Sequence, residues 1–420
     1  MIINFHCVYK PEFACILFIH KMTQTEREQL STQRIYPTIN NDDLLEFRIP
    51  PNSKGQLDLR NVMLHFITSC PSPAEANVVL RPQNFFGAKQ FSSVEIRVNG
   101  ESATRKSCSN EFFLSSYFEH ICNYTSDYMT TAFRPSGIFD CYQANTTFIT
   151  GLSPAQKTVL ADSRDSISGS NEFEIYMGMN TSIFGSGDLL PSNTPIEISF
   201  ERTSSEFSSI LFASTDMPDL VNTLKDVYLT VPFVRDEKMF HLERNAITRP
   251  LKINYDEYII KRFNIPTGST SVMINNVLTG ALPEKLFWGI QTTKSFTGSY
   301  SNSSTRFHRQ LMSKASLYVD GKEVSDFPYK MSENHISIPY VKFLQNTDKQ
   351  NNGFLSTIMS MDQYNMGNFI LSASFDPNDT GSVSFGFEFD KAVTDELILV
   401  TCSAVERCLK LDHNRNFQII

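Results

Sequence analysis

Short stretches in which apolar and polar residues alternate recur along the chain, and each reads as a half-buried β-strand. The clearest spans residues 195–201, where Ile196, Ile198 and Phe200 alternate with Glu197, Ser199 and Glu201. Successive side chains of a strand point to opposite faces, so this pattern gives one buried and one solvated side. The same reading assigns strands to residues 44–49, 57–68, 78–80, 93–98, 172–179 and 224–234. A second series follows at 258–265, 271–277, 285–292, 312–319, 369–375, 383–389 and 397–405. Only two segments suggest helix. In 110–133, Phe113, Tyr117, Ile121, Tyr124 and Tyr128 recur at three- and four-residue steps behind Asn110 as N-cap, and 338–344 is a short second case.

Two strands end in the same kind of turn, Val98-Asn99-Gly100 and Val319-Asp320-Gly321. Asn-Gly and Asp-Gly favour the type I′ hairpin, whose two central residues both need positive φ. Aligning the turns offsets the chain by 221 residues and puts Phe86 on Phe307, Ser92 on Ser313 and Val98 on Val319. Further matches follow in order. Residues 171–177 parallel 367–373, 194–202 parallel 381–389, and 224–233 parallel 397–406. One set of about eight strands occurs twice. The expected fold is therefore all-β, with two consecutive eight-stranded antiparallel jelly rolls and short helices in the insertions. The expected division is a flexible N-terminal arm at 1–43, a first roll at 44–249, a second at 250–406 and a C-terminal tail at 407–420. Within the arm, residues 1–21 read as a disordered extension, with Met22 an alternative start. The apolar run 13–19 is far short of the ~20 residues that span a bilayer.

Composition narrows the functional classes. A length of 420 residues suits two cores. A net charge of −8 argues against a surface that coats or reads nucleic acid. The eight cysteines lack CxxC spacing and read as free thiols. Asn-x-Ser/Thr triplets, as at Asn123 and Asn302, signify glycosylation only in a secreted protein. Motifs of phosphate loops, zinc proteases and serine hydrolases are missing from the sequence. His65 and His120 read as packed or surface residues, His241 and His335 as loop residues, and Asp42-Asp43 as solvated acids. Phe287, Trp288 and Phe296 would suit a sugar-stacking platform, but a strand with Leu286, Trp288 and Ile290 facing one layer and Phe287 the other accounts for them better. Lys252, Lys261 and Arg262 make a small basic cluster that a subunit contact or a solvated face explains as well as nucleic acid does. We assign no catalytic, cofactor or metal residue; Asn99, Gly100, Asp320 and Gly321 are singled out as structural turns.

Residues 283–324, PEKLFWGIQTTKSFTGSYSNSSTRFHRQLMSKASLYVDGKEV, and their counterpart at 78–101 carry a resemblance. Strand, Ser/Asn/Gly-rich loop, phenylalanine-bearing segment and strand ending in a Val-Asn/Asp-Gly turn resemble the double jelly-roll major capsid proteins of the Polinton/Maverick and adintovirus group and related large icosahedral DNA viruses. The resemblance spans about 44–406 and implies homotrimers whose six rolls form a pseudo-hexagonal tile. It further implies that those tiles contact neighbouring capsomers and a penton protein, and enclose double-stranded DNA in a virion assembled in the nucleus or cytoplasm of the host cell. Residues 144–170 and 291–305 are then expected as outward loops. The alternatives are a carbohydrate-binding or cell-surface β-sandwich module, and an enzyme whose site is assembled from distant residues.

Overall fold

The computed structural model describes residues 27–52, 55–69, 80–104, 111–125, 128, 131–138, 172–179, 182–186, 188–211, 222–238, 241, 250–300, 302–331, 335–347, 359–365, 367–376, 378–412 and 417–419. Two β-sandwiches follow one another along the chain. One sheet of the first has the order β10 (Leu189–Leu190), β4 (Gln56–Asp58), β13 (Leu224–Asp236), β5 (Met63–Ser69) and β9 (Glu172–Gly178), with β1 (Arg27–Ile35) also pairing with β13. Its facing sheet has the order β2 (Ile39–Asn40), β3 (Leu44–Ile49), β11 (Ile196–Arg202), β7 (Phe91–Val98) and β8 (Glu101–Ser102). A separate ribbon joins β12 (Ser209–Leu211) to β6 (Leu80–Pro82).

The second sandwich repeats this plan. Its sheets are β14 (Leu251–Ile265), β22 (Leu397–Leu411), β16 (Lys285–Thr292) and β20 (Ile370–Ser374), with β23 (Phe417–Ile419) on β22, and β15 (Ser271–Ala281), β21 (Thr380–Phe389), β17 (Met312–Val319) and β18 (Lys322–Glu323), with β19 (Tyr329–Lys330) on β17. Every one of these strand pairs is antiparallel. The chain is a double jelly roll.

The repeat read from the sequence extends to the register. Ile96 lies opposite Ile198 and Val98 opposite Ile196 in the first roll; Leu317 lies opposite Phe385 and Val319 opposite Val383 at the matching places in the second. The turns agree too, since Asn99 N–H donates to Pro195 O and Asp320 N–H to Ser382 O. A one-residue slip would turn each apolar row outward, so the shared pattern of buried Ile, Val and Phe holds both registers.

Three expectations are corrected. Residues 27–35, assigned to a flexible arm, form β1, which pairs with β13 through Ile35↔Leu229 to Arg27↔Asp236. β1 is to the first roll what β14 is to the second. Its sequence REQLSTQRI has almost no apolar alternation because it lies at a sheet edge, held by backbone pairing. Residues 407–420, assigned to a tail, include the end of β22 and all of β23, which pairs Leu409↔Ile419. The helix expected at 110–133 ends at Asn123; we label it α1 (Glu111–Asn123). The helix is interrupted at residues 124–125 and Tyr128 is again helical; across the break Tyr124, Tyr128 and Phe133 cluster with one another, and His120 packs on Tyr124 and Phe133. Asn110, residues 78–79, 1–21 and the insertion 144–170 lie outside the described residues.

The two sandwiches share apolar surface. Phe113, Tyr117, Phe118 and Ile121 of α1 join the core of the second roll, where Tyr117 and Phe118 meet Phe307, and Phe118 stacks on Phe287. In return Ile253 and Tyr255 of β14 and Leu409 and Leu411 of β22 enter the core of the first. A shared apolar interface of this kind holds two domains as one body.

Candidate functional site

Among the described residues no catalytic constellation is present. His65 is packed between Tyr228, on which it stacks, and Tyr176, with its ring nitrogens at Asp226 O and Glu174 Oε1. His120 is buried among Phe85, Tyr124 and Phe133, and burial lowers it to about 4, so at neutral pH it is uncharged. His241 and His335 are exposed. No group of three His, Cys, Asp or Glu side chains is arranged to hold a metal, and no helix is long and apolar enough to cross a membrane, among the described residues.

The two turns singled out from sequence stand at equivalent, open ends of the rolls. Asn99 and Gly100 have φ of 51° and 87°, and Asp320 and Gly321 have 51° and 76°. The Asp320 carboxylate also accepts from Ser382 N–H at 2.8 Å, tying its turn to β21. A Cβ at Gly100 or Gly321 would meet nothing within 4 Å, so only the backbone demands glycine there. Gly100→Val or Gly321→Val is expected to cost about 1–2 kcal/mol through the positive φ alone, read as a lower urea midpoint with an unchanged slope.

The aromatic group around Trp288 is interior. Trp288 points between the sheets to Phe385 and Phe327, while Phe287 turns to the other face against Phe118 and Phe343. The alternation read from LFWGIQ therefore holds, and both faces of β16 are covered.

The segment 291–305, expected as an outward loop, instead folds into the joint between the rolls. Gln291, Ser295, Phe296, Ser304 and Thr305 are all buried. Its centre is Gln83, a residue the sequence does not mark. Gln83 Oε1 accepts from Lys89 Nζ at 2.9 Å, Ser304 N at 3.1 Å and Ser304 Oγ at 3.0 Å, while its Nε2 donates to Ser209 O at 3.0 Å. Ser304 Oγ also reaches Phe207 O at 3.1 Å. Hydroxyl-rich composition suggests solvent, yet here the hydroxyls satisfy buried carbonyls and amides. Gln83 and Ser304 are 221 residues apart, the same offset as the turns, so the rolls meet through equivalent positions. That spacing was the only signal for the contact.

One apolar surface lacks a partner within the described chain. On α2 (Ser337–Asn346), Phe343 and Leu344 face inward, while Ile338 is 66% and Val341 37% exposed. Met361, 40% exposed, lies beside them, its sulfur 3.9 Å from Ser337 Oγ. A helix apolar on its outer face as well as its inner one is made for burial on both.

No protein-family model and no curated protein matches the sequence. Solved structures match the fold along nearly the whole chain. The Sputnik virophage structure is similar at TM-score 0.61 with 12% identity, covering 100% of this chain and 93% of that one. The PBCV-1 virus capsid gives 0.55 with 10% identity, covering 99% and 98%. The mavirus major capsid protein gives 0.51 with 11% identity, covering 93% and 90%.

Proposed function

We propose that this chain is a major capsid protein, the structural subunit of an icosahedral shell around double-stranded DNA. The observation that carries the reading is the double jelly roll itself, with one strand order and one register repeated in two packed rolls. Two similar rolls per chain allow three copies to present six similar faces from one gene product. Contacts between unlike surfaces of identical chains close into a ring when the rotation permits. The exposed Ile338, Val341 and Met361 of the second roll supply one such surface, which a neighbouring copy would cover.

In this reading the chain forms a homotrimeric, pseudo-hexagonal capsomer that contacts further capsomers and a penton protein, and resides in the virion after assembly in the nucleus or cytoplasm of the host cell. The affiliation with the Polinton/Maverick group rests on the resemblance carried by residues 283–324. The role asks for no catalysis, and the carbohydrate-binding alternative lacks its platform because Phe287, Trp288 and Phe296 are all buried.

Light scattering and negative-stain microscopy of the purified chain test the proposal. A particle of three times the 47.7 kDa chain mass with pseudo-hexagonal outline, or closed shells, is the expected result. A dispersed monomer across the concentration range overturns it. Ile338→Asp is expected to shift trimers toward monomers at least tenfold in dissociation constant while leaving circular dichroism unchanged, because a charge would then be desolvated in the contact.

A further inference from the structure

Where α1 of the first roll approaches the β14–β22 ribbon of the second, the chain gathers negative charge around a cleft of about 210 Å³. Asp256 and Glu406 lie directly opposite each other across the ribbon, both exposed at the mouth. Like charges in this cross-strand position oppose pairing. Glu119 of α1 lines the same cleft, is only 6% exposed, and its Oε2 has no hydrogen-bond partner. A buried carboxylate oxygen left without a donor costs stability unless something supplies one. Three acids from both rolls thus share a cavity that contains no counter-charge among its lining residues.

We propose that this cleft binds a small alkylammonium ion, with a short diamine the best-fitting form, and that the bound cation ties the two rolls together. A compact metal ion needs ligands converging on one point, and these acids do not converge in that way. A diamine needs two separated negative centres, which Glu119 at the floor and the Asp256–Glu406 pair at the mouth provide. Its methylenes would run beside Tyr255 and Tyr258, which also line the cleft. Ammonium groups would give Glu119 the donor it lacks and offset the repulsion between Asp256 and Glu406.

The charges around the site set the pH dependence. Burial first, and then the Asp256 charge, raise Glu119 to about 8. Burial also raises Asp256, assisted by Glu284 and Glu406 and opposed by Lys285. Tyr124 on the far side feels Glu119 and Arg60. Glu119 therefore keeps its proton at neutral pH when the cleft is empty, and a bound cation displaces it. Binding should release a proton and tighten as pH rises through about 8.

The test is calorimetric titration of the intact protein with putrescine at pH about 6.5 and about 8.5, in buffers of different ionisation enthalpy. Saturable binding that strengthens at the higher pH, with a buffer-dependent heat from proton release, is expected. Glu119→Gln should weaken binding about tenfold and remove the buffer dependence. The double variant D256N/E406Q should also lose binding, yet melt at or above the parent temperature because the like-charge pair is gone, which keeps the result interpretable if Glu119→Gln folds poorly. Absence of binding overturns the proposal. So does an equal response to calcium chloride or to sodium chloride of matched ionic strength, which would signify metal binding or simple screening. Only the fold of the single chain is needed, so the outcome is independent of whether the chain trimerises.

Discussion

Trp288→Ala is expected to destabilise the second roll by about 3–5 kcal/mol, the range for deleting a fully buried large aromatic side chain. Trp288 is 1% exposed and fills the space between sheets against Phe385 and Phe327, and the strand it occupies is covered on both faces. The neighbouring side chains are anchored in two sheets, so the void cannot collapse cheaply. Trp288→Phe should cost much less, about 1 kcal/mol or below. Its smaller ring loses contact area, but the indole N–H it removes is buried without an acceptor, and removing an unpaired donor is favourable. Chemical denaturation followed by circular dichroism distinguishes the two. Since Trp288 is the single tryptophan, its fluorescence in the parent protein reports on this roll alone. Equal losses for Ala and Phe would contradict the packing argument.

Gln83→Ala should have the second-largest effect, about 2–4 kcal/mol, because one side chain serves three donors and two acceptors at the joint between the rolls. Fully buried Lys89 makes the site demanding: its ammonium is held by Gln83 Oε1 and lies over the Phe113 ring at 4.8 Å. Shortening Gln83 withdraws an acceptor from the buried Lys89 Nζ. Ser304→Ala should cost less, about 1 kcal/mol, and the pair should couple in a double-mutant cycle. Additive losses would mean that Gln83 and Ser304 act separately. Beyond stability, Gln83→Ala is expected to let the rolls unfold at different denaturant concentrations, seen as non-coincident fluorescence and circular dichroism transitions.

Much of this fold is legible in short-range pattern because a strand declares itself by alternation and a hairpin by its turn residues. Ile196, Ile198 and Phe200, the Asn99-Gly100 and Asp320-Gly321 turns, and the alternation around Trp288 all read correctly, since each records a local choice of face or dihedral angle. What failed to read was held by partners far along the chain. β1 looks like a polar arm because its place comes from backbone pairing with β13, nearly 200 residues later. The Ser-rich segment 291–305 looks like a solvent loop because a hydroxyl gives no sign whether water or a buried carbonyl satisfies it.

The sequence by itself determined the class of fold and the repetition of the strand series in order, since these follow from two-residue periodicity and from turn chemistry that occurs twice. Only the tertiary structure decided how the two rolls join: through Gln83 on Ser304, α1 in the second core, and Glu119 facing Asp256 and Glu406. Those contacts depend on the relative placement of whole sheets, which no local pattern encodes, and they hold both the joint and the proposed cation site.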